Sequence, residues 1–102
     1  MIKVVIKTDE SSGKITSIEV KGHSGKDVYG KDLVCAATSA VITGGANALE
    51  NKEFEFIMDE GHALIKAKNI PDDYDSVVLT TIKTQLQTIE ESDPKFIKIE
   101  IL

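Results

Sequence analysis

Residues 32–50 read Asp-Leu-Val-Cys-Ala-Ala-Thr-Ser-Ala-Val-Ile-Thr-Gly-Gly-Ala-Asn-Ala-Leu-Glu, and their pattern is that of a helix. Apolar and small side chains recur at spacings of three and four residues, which places them on one helical face. These residues are Leu33, Val34, Ala37, Val41, Gly44 and Ala48. Because most of them are small, we expect the helix to lie close to a sheet or to another backbone. Aspartate commonly caps helix N-termini, so we predict that the helix begins directly after Asp32.

Two strands are predicted on the N-terminal side of this helix. Residues 2–7 and residues 16–21 both alternate apolar with polar side chains, which is the periodicity of a half-buried strand. The segment Ser-Ser-Gly at residues 11–13 lies between them and is typical of a turn. We therefore predict an antiparallel hairpin ahead of the helix.

Two further strands are predicted on the C-terminal side of the helix. Phe54, Phe56 and Met58 alternate with other residues, and we interpret them as the inward-facing set of a third strand. Gly61 permits a tight turn after that strand. The turn leads into a fourth strand over residues 63–68.

A second helix is predicted downstream, because apolar residues again recur at spacings of three and four. They are Val78, Leu79, Ile82, Leu86 and Ile89. Pro71 suits the first turn of this helix and Pro94 prevents its continuation. We interpret Asp72, Asp73 and Asp75 as helix-start chemistry, since carboxylates are stabilised at the positive end of a helix dipole. A metal site there is the weaker interpretation.

Residues 96–102 alternate again and supply a fifth strand. The predicted order is therefore ββαββαβ. This order defines an α+β two-layer sandwich with a largely antiparallel sheet and two helices. A length of 102 residues is enough for one core, so we expect a single domain over residues 1–102.

The composition narrows the possible functions. All twelve basic residues are Lys and the net charge is −5, so a direct nucleic-acid partner is not expected. Residues 33–49 carry no charge, but they are too few and too polar to span a membrane. A single cysteine cannot form an internal disulfide. We expect a cytoplasmic protein that contacts no membrane.

The connection between the second strand and the first helix, residues 22–31, carries the residues of chemical interest. It reads Gly-His-Ser-Gly-Lys-Asp-Val-Tyr-Gly-Lys, and a polar, glycine-rich segment between rigid elements often carries function. If Asp32 is the cap, Cys35 is the third helical residue, where unpaired backbone N–H groups favour a thiolate. With His23 on the preceding connection, the arrangement predicts nucleophilic catalysis by a thiolate–imidazolium pair.

Helical periodicity places Cys35 on a polar stripe. At about 100° per residue, the stripe also contains Asp32, Ser39, Thr43 and Glu50. The densest apolar stripe is centred near Val41 and points the opposite way. A structural cysteine more often shares the apolar side, so this placement favours a chemical role for Cys35.

Other interpretations of the same segment fit less well. A phosphate-binding loop would need glycine where Val20 stands and Ser or Thr where Asp27 stands. A serine nucleophile elbow at Ser24 would need glycine in place of Lys26. A zinc site lacks paired cysteines, so we expect neither a metal nor a cofactor. We interpret His62 as a solvated turn residue.

Residues 22–25 (Gly-His-Ser-Gly) and 32–40 (Asp-Leu-Val-Cys-Ala-Ala-Thr-Ser-Ala) together resemble the signature of the ribosomal-processing cysteine protease (Prp) family. The spacing of twelve positions between His23 and Cys35 also matches. The resemblance implies a small cytosolic protease, usually homodimeric. It further implies a ribosomal protein substrate, because the family removes the N-terminal extension of bacterial large-subunit ribosomal protein number twenty-seven, as ribosome maturation requires.

Carried over by residue, the resemblance implies that Cys35 is the nucleophile and that His23 is the general base and later the acid. Asp32 is expected to cap the helix or orient His23, and Ser39 to form a hydrogen bond near the thiolate. The connection at residues 22–31 is expected to act as a flap that contacts the substrate. Its residues in that role are Gly22, Ser24, Gly25, Val28, Tyr29 and Gly30.

Two alternatives to proteolysis stay open at this point. The first is a non-catalytic module for ribosome assembly or peptide binding, in which the connection binds a partner peptide without cutting it. The second is a small thiol enzyme that acts on a non-protein acyl compound. Stable partner binding without a product would indicate the first, and cleavage of a small acyl compound the second.

Overall fold

The structure is a computed structural model that describes residues 1–25, 32–50 and 53–102. Within these ranges the elements are β1 (Ile2–Thr8), β2 (Ile15–Lys21), α1 (Leu33–Ala48), β3 (Phe54–Asp59), β4 (His62–Ala67), α2 (Asp73–Ser92) and β5 (Ile97–Ile101). This ββαββαβ order confirms the predicted α+β fold.

The five strands form one sheet in the order β3-β4-β2-β1-β5. All neighbouring pairs are antiparallel except β1 and β5, which run in parallel. The two edges of the sheet differ. At the edge strand β5, the carboxylate of Glu90 accepts the backbone N–H of Ile99 at 2.8 Å. Because this N–H is already bonded, the β5 edge is a poor template for pairing with another strand.

The core lies between the sheet and the two helices. Its fully buried large side chains are Ile2, Ile6, Ile18, Ile65, Leu79, Ile82, Leu86 and Ile97. These residues come from four strands and from α2, so the predicted strand alternation and the predicted apolar face of the second helix are confirmed.

The buried face of α1 differs from the predicted one. Val34, Thr38 and Ile42 are buried, whereas Leu33 is 77% exposed and Ala37 is exposed as well. Nearly every residue of α1 is small or apolar, so hydrophobicity does not single out one face. Packing against the sheet and α2 therefore decides which stripe of α1 is buried, and the buried residues recur at four-residue spacing.

The third strand also differs from its prediction. Phe54 is buried, but Phe56 is 45% exposed and Met58 is 44% exposed on the same strand face. Because β3 is an edge strand, the helices do not cover its outer part. Two large apolar side chains are therefore left at the surface beside α1.

The second helix begins two residues later than predicted. Pro71 lies before the cap, and the side chain of Asp72 accepts the N–H of Asp75 at 2.8 Å. Asp75 is fully buried and accepts the backbone N–H of Glu50 at 2.9 Å, which ties the end of α1 to the start of α2. The interpretation of these carboxylates as helix-start chemistry is confirmed, because Asp72 is the cap and Asp73 and Asp75 lie in the first turn.

Candidate active site

The N-terminus of α1 is built around Asp32. This residue has extended backbone angles (φ −78°, ψ 105°), and its Oδ1 accepts the N–H of Cys35 at 3.0 Å. The predicted cap is therefore confirmed, and Cys35 is the third residue of the helix. The sulfur lies at the end of α1 where the helix dipole is positive.

The second carboxylate oxygen of Asp32 joins the helix to the preceding connection. It accepts a hydrogen bond from the hydroxyl of Ser24, and both side chains are buried. The Ser24 hydroxyl lowers the pKa of Asp32 from 3.8 to about 2, and the Cys35 N–H adds to this effect against the opposing effect of burial. Asp32 is therefore a buried, charged anchor between two chain segments.

The same anchor brings the backbone of Ser24 against the cysteine. The N–H of Ser24 donates to Sγ of Cys35 at 3.3 Å. An N–H donor beside a sulfur stabilises negative charge on it. This contact puts residue 24, and with it the neighbouring His23, at the side of α1 that carries Cys35.

Cys35 and His23 line one cleft of about 270 Å³. Its walls come from β2, the connection after it, α1 and the β3–β4 hairpin. The ring of His23 lies over this hairpin, since a Cβ placed on Gly61 would be 3.2 Å from Nε2 of His23. The N–H of Gly22 donates to the carbonyl of Gly61 at 2.9 Å and holds the two segments together.

Gly22 is required by its backbone and its surroundings. Its φ of +93° is in the region that side chains rarely adopt, and a Cβ there would lie 2.6 Å from the carbonyl oxygen of Met1. The connection can therefore leave β2 and turn His23 into the cleft only with glycine at this position.

A substitution at Gly61 tests whether the hairpin positions His23. We expect Gly61→Ala and Gly13→Ala to lower the free energy of unfolding by a similar ~1–2 kcal/mol, because both glycines have a positive φ near +75°. Only Gly61→Ala places a methyl group against His23, since a Cβ at Gly13 meets nothing within 4 Å. We expect Gly61→Ala alone to lower kcat/KM on a peptide substrate, by about tenfold or more. Equal activity in the two variants would contradict this role of the hairpin.

The other predicted site residues fall into three groups. Ser39 is exposed and lines the cleft one helical turn after Cys35. Gly25 has a φ of +72°, as expected for the glycine-rich connection. Val28, Tyr29 and Gly30, which carried the flap prediction, lie outside the described residues.

The predicted separation of Cys35 from the apolar side of α1 is wrong. Cys35 is half-buried and packs partly against the core, and the buried Thr38 lies one turn beyond it. Among the described residues, Oγ1 of Thr38 has no hydrogen-bond partner. The sulfur therefore sits where the buried face of α1 meets the cleft, because the buried stripe is centred on Thr38 instead of Val41.

Sequence reasoning missed several residues that line the cleft with Cys35. Ile42 on α1 and Met58, Asp59 and Glu60 around the end of β3 all line the cleft. The strand β3 comes some twenty residues after Cys35, and only the β2–β4 pairing brings its end to the site. The exposed position of Met58 on an edge strand is the signal that marks these residues.

The prediction for His62 is also wrong. His62 is the first residue of β4, is half-buried, and its Nε2 lies 2.8 Å from Oε2 of Glu19 on β2. This hydrogen bond lowers the pKa of Glu19. Strand alternation puts both side chains on the sheet face opposite the helices, so the ring of His62 is held by Glu19 although the residue also lines the cleft.

Residues 1–25, 32–50 and 53–102 contain no group of three or more His, Cys, Asp or Glu side chains that could hold a metal ion. None of the helices in these ranges is long and apolar enough to cross a membrane.

Comparisons with known proteins give the class of enzyme. A family described as "Cysteine protease Prp" matches residues 1–98. The ribosomal processing cysteine protease Prp of Staphylococcus aureus (strain Mu50) is 35% identical over 96 residues, which cover 89% of this chain and 90% of the relative. The chain is a cysteine protease. It belongs to the Prp family.

Two solved structures agree with this assignment. Both are crystal structures of the essential ribosomal processing protease Prp from S. aureus, and each match covers 100% of both chains. The first, in complex with a covalently linked product peptide, has a TM-score of 0.93 and 34% identity. The second, in complex with a substrate peptide, has a TM-score of 0.87 and 33% identity.

Proposed function

We propose that this chain is a single protease domain over residues 1–102 that removes the N-terminal extension of large-subunit ribosomal protein number twenty-seven. Cys35 is its nucleophile and His23 its general base and acid. The observation that carries the proposal is the 3.3 Å contact from the Ser24 N–H to Sγ of Cys35, in a cleft that also holds His23. The covalently linked product peptide in the S. aureus relative supports a peptide substrate.

The proposed reaction is acyl transfer in two steps. The Cys35 thiolate attacks the scissile carbonyl carbon, the C–N bond breaks, and the imidazolium of His23 protonates the departing amine. This step leaves a thioester on Sγ and a neutral imidazole. A water molecule then gives a proton to His23 and attacks the thioester, which releases the acid product and restores the thiolate.

The oxyanion of this reaction needs a backbone donor near the sulfur. The N–H groups of Cys35 and Ala36 are already engaged, because that of Cys35 donates to the side chain of Asp32 and that of Ala36 to its carbonyl. The N–H of Ser24 points at Sγ and becomes available when the sulfur bonds to carbon. We assign it as the oxyanion donor, a role worth about 3 kcal/mol of barrier in acyl-transfer enzymes.

We also propose that the enzyme is a cytoplasmic homodimer, as the family resemblance implies. The outer face of α1 supports this assembly. Leu33 is 77% exposed there, and the neighbouring Ala37, Ala40 and Gly44 are exposed and small enough for close backbone approach.

Digestion of the ribosomal protein itself tests the proposed function. We expect the purified chain to convert the protein that carries its N-terminal extension into one shorter product with a new N-terminus. Intact-mass spectrometry over a time course measures the conversion. Treatment with iodoacetamide should abolish it, because alkylation of Cys35 removes the nucleophile.

The same samples separate the proposal from its rival. A non-catalytic assembly or peptide-binding module would retain the ribosomal protein in a stable complex, leave its mass unchanged and tolerate alkylation. That result would overturn the protease assignment for this substrate.

A further inference from the structure

A buried hydroxyl lies on the face of α1 that packs against the sheet. The buried residues of this helix are Val34, Thr38 and Ile42, and Thr38 is the polar one of the three. It is 3% exposed, and among the described residues its Oγ1 has no hydrogen-bond partner. A buried hydroxyl without a partner lowers stability, and valine would fill nearly the same space without that cost. The hydroxyl of Thr38 therefore points to a role outside the packing of the helix.

Other threonines of the chain show how a helix usually satisfies this group. The hydroxyls of Thr81, Thr84 and Thr88 on α2 each donate to the carbonyl four residues earlier, at 2.8, 3.0 and 2.9 Å. Thr38 also lies in a helix, but its hydroxyl makes no such bond to the carbonyl of Val34. The hydroxyl is therefore left for a group other than the helix backbone.

The sulfur of Cys35 is the reactive group on the turn before Thr38. Both residues line the cleft, and residues three positions apart on a helix are neighbours, with about 5–6 Å between their Cβ atoms. Helical side chains also lean toward the N-terminus of their helix. The side chain of Thr38 therefore leans toward the turn that carries the sulfur.

A negatively charged sulfur at this position needs more than one donor. Sγ of Cys35 accepts the N–H of Ser24 at 3.3 Å. Besides the Ser24 hydroxyl, which has the largest effect, a hydrogen bond from the side chain of Cys35 lowers the pKa of Asp32, so the sulfur lies beside a charged carboxylate. That carboxylate repels a negative charge on the sulfur, and an additional donor offsets the repulsion. In the proposed reaction the N–H of Ser24 also turns to the oxyanion, so the sulfur loses its first donor.

We infer that Thr38 is a further catalytic residue: its side chain rotates about the Cα–Cβ bond, and its hydroxyl donates to Sγ of Cys35 whenever the sulfur is negatively charged. The hydroxyl keeps its proton throughout. The bond forms with the thiolate, is released in the thioester, and forms again when the thioester is hydrolysed. Ser39, which the resemblance suggested for this place, is exposed, so water competes for its hydroxyl. The inference rests on the proposed role of Cys35 as the nucleophile.

Alkylation of Cys35 by iodoacetamide tests this bond, because the thiolate is the reacting form. Intact-mass spectrometry measures the rate as a function of pH. Thr38→Val removes the hydroxyl and nearly keeps the volume of the side chain. We expect the pH–rate profile of this variant to lie about one pH unit above that of the wild type, since a hydrogen bond of ordinary strength changes an equilibrium about tenfold. At high pH, where the sulfur is charged in both proteins, the two rates should agree.

Two further variants are the controls. Thr38→Ser keeps the hydroxyl and should restore the wild-type profile. Thr84→Val removes a hydroxyl that is bonded to the carbonyl of Thr80 on α2, outside the cleft, and should leave the profile unchanged. Thermal unfolding is compared at acidic pH, where the sulfur is uncharged. We expect Thr38→Val to raise Tm there, because it removes a buried, unpaired hydroxyl, whereas Thr84→Val loses a satisfied bond and should not.

The titratable groups around the sulfur stay the same in all of these variants. They are His23 on the connection, Asp32 at the N-cap of α1, and Asp59, Glu60 and His62 on the β3–β4 hairpin. A difference between the alkylation profiles therefore reports the hydroxyl of Thr38.

Two results would overturn the inference. One is an unchanged profile in Thr38→Val, and the other is a lower Tm of this variant at acidic pH, which would show that the hydroxyl already has a partner in the fold. Alkylation requires no substrate, so its result is independent of the proposed function. A shifted profile without cleavage of the ribosomal protein supports the role of Thr38 and contradicts the proposed function. Cleavage by the wild type with an unchanged profile supports that function and contradicts the role of Thr38.

Discussion

Cys35→Ala leaves no measurable cleavage of the ribosomal protein substrate, and His23→Ala lowers kcat by ~10³-fold; these are the largest effects that we expect. In the proposed reaction, alanine at position 35 removes the atom that forms the thioester. Alanine at position 23 removes the group proposed to take and return the proton, while the N–H of Ser24 and the start of α1 stay in place. Cleavage is measured by intact-mass spectrometry under single-turnover conditions.

His62→Gln is the matched control for His23→Ala, because the chain contains two histidines. Its ring is bound to Glu19 on the sheet face opposite the helices, and glutamine can keep a hydrogen bond there. We expect near-wild-type kcat for this variant. Thermal unfolding of all variants verifies that they fold. A wild-type rate for either Cys35→Ala or His23→Ala would contradict the assignment of the pair.

Asp32→Ala is expected to lower the free energy of unfolding by about 2–5 kcal/mol. Loss of a helix cap costs ~1–2 kcal/mol, and the buried Ser24 hydroxyl left without its acceptor costs a further ~1–3 kcal/mol. The connection that holds Ser24 against Cys35 would lose its anchor, so we also expect kcat to fall. Urea unfolding monitored by circular dichroism measures the first effect, and peptide cleavage the second.

The double variant Ser24→Ala/Asp32→Ala tests whether the two side chains act together. We expect it to be no less stable than Asp32→Ala alone, because Ser24→Ala removes the hydroxyl that the single variant leaves without its Asp32 acceptor. Ser11→Ala, at an exposed turn, is the control for a serine change outside the site. Fully additive effects on the free energy of unfolding would show that the Ser24–Asp32 bond does not stabilise the fold.

The stability of the wild type should also depend on pH through Asp32. Its pKa in the fold, about 2, lies below the ordinary 3.8, so the charged form is favoured by folding. The resulting stabilisation is complete above the unfolded value and is lost as the pH falls from about 4 through about 2. Asp32→Asn removes this group, and we expect its unfolding free energy to fall less steeply over that interval.

Local sequence signals were enough to predict the helices and strands. They were also enough to predict the part of the site at the N-terminus of α1. Alternation identified β1, β2 and β5, and apolar spacing identified α2, because period-two and period-3.6 patterns depend on neighbouring residues. Asp32 predicted the N-cap of α1, because the preference of aspartate for that position comes from its own short side chain. The same reasoning failed for the buried face of α1, where small residues on all sides made the pattern uninformative.

Sequence therefore established the ββαββαβ order, the capped cysteine and the histidine that precedes it, all of which follow from contacts over a few residues. Packing alone settled that Ser24 donates to Cys35, that Gly61 lies under His23, and that Met58 faces the cleft from an uncovered edge strand. These contacts join residues that are eleven to some forty positions apart. The first contact arises because Ser24 is anchored on Asp32, and the other two arise because β4 pairs with β2.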